Sequence, residues 1–148
     1  IKRANITYID YLLMVSYWSG MQPFNTIQQL RSIKMHNDHI IPLSSRWGGD
    51  NNGKISINRL GNYSPIMASI NCSRGNGHIS IYWDNPSVVR VIENLRVFPT
   101  VEKYDEIVQY HHHGSNPCPY IKNLAKFNEF CEKNEKEYID MFVYLLFE

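Results

Sequence analysis

The chain has 148 residues, with 15 Lys plus Arg against 14 Asp plus Glu and a formal charge of +1. That length suits one domain with one core. The near-zero charge excludes capture of a polyanion by bulk electrostatics, so any nucleic-acid contact must come from a local patch or from another domain. Three widely spaced cysteines, Cys72, Cys118 and Cys131, form no CxxC pair and point to neither a disulfide framework nor a zinc site, which fits a reducing, cytoplasmic setting. No apolar run is long enough to span a membrane, and no secretory signal opens the sequence. The start at Ile1, directly in helix-like sequence, reads as a piece of a longer protein with other domains.

Residues 5–19 place Ile6, Ile9, Leu12, Leu13 and Tyr17 near one helical face, with Gly20 and Pro23 as stops. A second helix is predicted over 25–33, capped by Asn25 and striped by Ile27, Leu30 and Ile33. The chain then reads as extended from Met35 to Ile41 and breaks at Pro42. From Leu43 to Lys54, Ser, Gly, Asn and Asp dominate, the composition of a loop. A short strand over Asn62 to Ile66 and a short helix over Ser69 to Gly75 follow, with Gly75 and Gly77 as stops.

Ile79, Ile81 and Trp83 alternate with Ser80 and Tyr82, which predicts a short strand. The remainder reads as helical. Pro86 opens a segment carrying Val88, Val89, Ile92 and Leu95, and Thr100 begins another carrying Val101, Tyr104, Ile107 and Val108. After a breaker at residues 114–119, apolar residues from Leu124 to Leu145 recur at helical spacing. The run His111-His112-His113 reads as a solvated helix end, because consecutive helical side chains diverge and one ion cannot take all three.

Three segments carry the chemistry: His36-Asn37-Asp38-His39-Ile40-Ile41-Pro42, Asn58-Arg59-Leu60-Gly61-Asn62, and Asn71-Cys72-Ser73-Arg74-Gly75-Asn76. Phosphodiester hydrolysis needs an activated water and a cation to neutralise developing charge. A carboxylate at Asp38 and a side-chain amide at Asn71 are hard ligands suited to Mg²⁺ or Mn²⁺, and the His39 imidazole is suited to general-base work. On a one-metal reading, the oxygens of Asp38 and Asn71 converge and a ring nitrogen of His39 faces the same cavity. Arg59 and Arg74, with His36 and His78, are candidates for contact with substrate phosphate, and Arg74 leads them. Asn62 beside Gly61 is equally a turn residue on local grounds, and Cys72 reads as an ordinary thiol.

Over residues 35–78 the sequence resembles the HNH endonuclease superfamily. Asp38-His39-Ile40-Ile41-Pro42 is similar to its first strand, Leu60-Gly61-Asn62 to its middle element, and Asn71, nine positions after Asn62, to its last ligand. The stretch ending in Arg74-Gly75-Asn76 also resembles the Asn-Arg-Gly segment of CRISPR-guided nucleases, with two residues inserted. The resemblance is closest to HNH domains joined to ParB-like domains in modification-dependent restriction and phage-defence proteins, with Trp47 as their downstream tryptophan. It implies an α+β fold in which a small ββα-metal core is embedded in a mainly helical domain with flanks at 5–33 and 86–147. It also implies that Asp38 and Asn71 hold Mg²⁺ or Mn²⁺, that His39 is the base, and that Asn62 fixes the loop. The implied activity is DNA cleavage, by nicking or, in a homo-oligomer, across both strands. The rival reading is a non-catalytic nucleic-acid-binding or interaction module that keeps the same shape.

Overall fold

The computed structural model describes residues 35–42, 45–47, 57–94 and 96–147. The two helices predicted over 5–19 and 25–33 lie outside the described residues, as does most of the 43–54 loop. The described chain is a mixed α+β arrangement with two small sheets.

Strand β1 (Met35–His39) pairs antiparallel with β3 (Tyr63–Met67), placing His39 opposite Tyr63 and Asp38 opposite Ser64. A 3₁₀ turn, Leu60–Asn62, leads into β3, and helix α1 (Ala68–Arg74) leaves it without a break and packs back on both strands. Successive strand side chains alternate faces. Residues 36 and 38 therefore share the face that α1 covers, while 37 and 39 share the other.

Short helices α2 (Ser80–Trp83), α3 (Pro86–Asn94) and α4 (Val101–Ile107) follow. Thr100 caps α4 by accepting the Lys103 N–H, as an N-cap hydroxyl does. The second sheet has the order β2-β5-β4: β4 (Val108–His113) and β5 (Asn116–Ile121) form a hairpin, and β2 (Arg46–Trp47) lies parallel to β5. The long helix α5 (Leu124–Phe147) closes the described chain. Ile40, Ile41, Ile66, Tyr82, Tyr104 and Phe127 are among the buried side chains of the common core.

Two predicted elements change type. The segment expected as a strand over 79–83 is helical, with Ile79 and Tyr82 buried at helical spacing and Ile81 left 42% exposed. A side-chain nitrogen of His78 accepts the Ser80 N–H, satisfying an orphan donor of that helix start. The three histidines lie on strand β4, not at a helix end, because Gly114, at φ 65°, turns the chain back for β5 to pair along all six residues. The His111 ring meets the Tyr120 ring edge-on at 4.7 Å. Pro117 and Pro119 sit on the part of β5 that β2 does not cover, so a missing donor costs nothing on that edge.

Candidate functional site

The site is built around the chain reversal between β1 and β3. Asn62 is fully buried, and its side-chain oxygen accepts the Ile41 N–H at 2.8 Å while its amide nitrogen donates to the carbonyls of Ile41 (2.9 Å) and Ile57 (3.0 Å). Its own main-chain carbonyl accepts the Ile40 N–H at 2.9 Å. Three of these hydrogen bonds pin the two residues after His39 to Asn62, and the fourth ties Asn62 to Ile57. Buried backbone groups need such partners, and here a side chain supplies them in place of a sheet ladder.

Helix α5 holds the same segment from behind. Glu135 takes Arg59 through Nη2 (2.7 Å) and Nε (3.2 Å) and also accepts the Gly61 N–H (3.1 Å). Asn134 donates to the carbonyls of Gly61 (2.9 Å) and Val97 (3.1 Å), and the Tyr138 hydroxyl donates to the Tyr63 carbonyl. Cys131, Asn134, Glu135 and Tyr138 recur at the spacing of one helical face. Gly61 is required by this approach: a Cβ there would stand 2.0 Å from the Cys131 carbonyl oxygen.

On the α1 face of β1, Asp38 is only 3% exposed, and its Oδ2 accepts from Arg74 Nη1 (3.1 Å) and the Tyr82 hydroxyl (3.2 Å). Arg74 is equally buried. Its other donors reach the carbonyls of Gly77 (3.0 Å), His39 (3.3 Å) and Ile40 (2.6 Å) and the Tyr104 hydroxyl (3.1 Å), so all five N–H groups have acceptors. Burial pushes the Asp38 carboxyl above the usual carboxylate range, against the pull of Arg74 and Tyr82. Burial also opposes the Arg74 charge, but Asp38 and the surrounding tyrosines outweigh it and raise its pKa further. Arg74, the favoured phosphate contact in the sequence, is thus turned inward; a guanidinium with five buried acceptors has none left to offer a substrate.

On the opposite face, His39 is half-buried. Its Nε2 lies 2.9 Å from Asn58 Oδ1, which also accepts the Tyr63 hydroxyl at 2.9 Å, and the His39 and Tyr63 ring centroids are 4.6 Å apart. His39 and Asp38 consequently do not face one cavity as the one-metal reading expects. The pleat of the strand separates them.

The residues expected to hold a metal are partly gathered. Asn71 of α1 meets His36 (Nδ2 to Nδ1, 3.2 Å), and His36 shares its strand face with Asp38. The Asp38 carboxylate and the Asn71 amide oxygen are hard donors of the kind Mg²⁺ and Mn²⁺ take, whereas the His36 imidazole suits softer ions and its Nδ1 faces the Asn71 amide nitrogen. Among the described residues, no three His, Cys, Asp or Glu side chains form a metal-holding group, so Asn71 would have to complete this set.

Other sequence candidates are engaged elsewhere. Arg59 is held by Glu135 and by Asn128 (3.1 Å). His78 lies 2.6 Å from Asp105, with its other nitrogen capping α2 beside the Ser80 hydroxyl (2.9 Å). No local signal marks Tyr63, Tyr82, Tyr104 or Glu135 as site residues, and Asn58 stands in a candidate segment without a role of its own, because their partners are mostly distant in the chain. Among the described residues, no helix is long and apolar enough to cross a membrane. No family model, curated protein or solved structure matches this chain.

Proposed function

We propose that the β1–β3–α1 unit is the core of an HNH-type, metal-dependent endonuclease module acting on DNA, within a larger cytoplasmic restriction or phage-defence protein. The observation that carries this reading is the fourfold Asn62 clasp on Ile40, Ile41 and Ile57, which holds the chain immediately after His39. A strand ending in Asp-His, a buried asparagine closing the connection and a helix bearing Asn71 come in the order that the sequence resemblance implies.

In this mechanism Asp38 and Asn71, with His36 beside them, would hold Mg²⁺ or Mn²⁺, which would supply neutralising charge to the scissile phosphate. His39 takes the proton of the attacking water, which requires the scissile phosphate to bridge the end of β1 from the α1 face to the face that carries the imidazole. The water oxygen bonds to phosphorus, the ester P–O bond breaks, and the leaving oxygen is protonated from solvent. Asn62 acts at a distance from the reacting atoms, by keeping the His39 end of β1 in place.

A second reading, a nucleic-acid-binding or interaction module without hydrolysis, is favoured by one arrangement: Asp38 is sealed against Arg74 while His39 faces the other way. Supercoiled plasmid incubated with the protein and Mg²⁺, Mn²⁺ or EDTA separates the two. Nicking with metal, absent in EDTA and in His39→Ala, supports the nuclease. Salt-sensitive DNA binding without nicking supports the second reading, and absence of both overturns both.

A further inference from the structure

We propose that Asn58 and Tyr63 are positioning residues for His39, holding its imidazole in the Nε2–H tautomer so that Nδ1 is the atom that accepts the proton. The inference rests on the nuclease reading for the use of that proton, but not for the tautomer itself. A side-chain carbonyl oxygen accepts and does not donate, so the ring nitrogen 2.9 Å from Asn58 Oδ1 carries the hydrogen. In a neutral imidazole the other nitrogen then holds the lone pair.

Tyr63 strengthens the assignment in two ways. Its hydroxyl donates to the same Asn58 oxygen at 2.9 Å, which orients the amide with oxygen toward both donors. Its ring, directly opposite His39 in the strand pair and tilted 51° to it, limits rotation of the imidazole. Both residues are themselves anchored. The Tyr63 carbonyl receives the Tyr138 hydroxyl, and Asn58 immediately precedes the Arg59 that Glu135 and Asn128 hold. The arrangement matches a base oriented by a third group. In the proposed step one water proton passes to Nδ1 as the oxygen–phosphorus bond forms, and Nδ1 returns it to solvent after the ester oxygen has left.

Long-range ¹H–¹⁵N NMR of the described domain within the full chain reads the His39 tautomer directly, with His39→Gln identifying its signals. The wild type should show the Nε2–H form, and Asn58→Asp should keep it because an accepting oxygen remains. Asn58→Leu should populate both tautomers, and Tyr63→Phe should do so to a smaller degree. In plasmid nicking, Asn58→Leu should lower kcat on the order of 10- to 100-fold with KM little changed, and Asn58→Asp should restore most of it. An Nδ1–H wild type, or a tautomer that Asn58→Leu leaves unchanged, overturns the positioning role. A correct tautomer response in a protein that never nicks DNA overturns the nuclease reading alone.

Discussion

The two faces of β1 are one residue apart in sequence and opposite in character. The α1 face carries Asp38, locked in the interior to the Tyr82 hydroxyl and to a fully coordinated arginine that also bonds the Tyr104 hydroxyl. The other carries His39, half-buried and held among the described residues by Asn58 and Tyr63. A buried ion pair is costly to break and rigid, whereas a partly exposed imidazole keeps an accessible proton-transfer atom. The contrast teaches that adjacency in a motif does not guarantee a shared cavity: within an extended strand the pleat buries one residue in an ion pair and leaves its neighbour half-exposed.

Removing the interior cation should produce the largest effect. Arg74→Ala removes the ionic partner of Asp38 and a donor to three carbonyls, and loss of one partner of a buried pair typically costs about 3–5 kcal/mol. Urea denaturation should place both Arg74→Ala and Asp38→Ala within or above that range, with Arg74→Ala the costlier because the arginine satisfies more groups. Equal costs would mean that the carbonyl bonds contribute little. Gly61→Ala should come next. Overpacking against α5 backbone costs about 1–3 kcal/mol, read as a lower denaturation midpoint, and a wild-type midpoint would show that the 3₁₀ segment can lift off the helix.

Cys131, beneath that segment, gives a pH test. Burial pushes its thiol up to about 12 from an ordinary value of 9.0, with Arg59 opposing and Glu135 assisting. A proton held more tightly in the folded state contributes stability that is fully present below pH 9.0 and is lost as pH rises towards and through about 12. Denaturation midpoints measured across this range should fall, and Cys131→Ala should flatten the fall. His39→Ala should have the smallest stability effect, on the order of 1 kcal/mol or less, as expected for a half-buried side chain that loses one hydrogen bond and one ring contact. If the nuclease reading holds, it should nonetheless cost about 10² to 10⁴ in cleavage rate. A large loss of stability in this variant would erase the contrast between the faces.

The parts of this architecture that depend on local signals were legible in the sequence. Pro86 opening α3, Thr100 capping α4 and the apolar spacing of α5 each act through neighbours within a turn or two, whereas the first strand stops at His39, ahead of the expected break at Pro42, because Asn62 takes the backbone groups of Ile40 and Ile41. Where two periodicities fit a short run, tertiary packing decided: Ile79 and Tyr82 satisfy helical spacing as well as Ile79, Ile81 and Trp83 satisfy alternation, and burial selected the helix. The β4–β5 hairpin was missed because prolines in β5 argue against a strand unless its uncovered edge is known. The inward turn of Arg74 was not legible either, since its acceptors come from β1, the segment after α1 and α4.

The clasp from α5 has a consequence for folding order. Glu135 and Asn134 reach Arg59 and Gly61 across 76 and 73 residues. Contacts of such separation reward the chain only after a long loop has closed. On a ribosome, the segment following His39 emerges well before the helix that holds it. The β1–β3 pair and α1 can assemble from nearby sequence, but their connecting segment acquires its final support only with Cys131 to Tyr138 in place. The histidine end of β1 is therefore among the last regions of the described chain to become rigid.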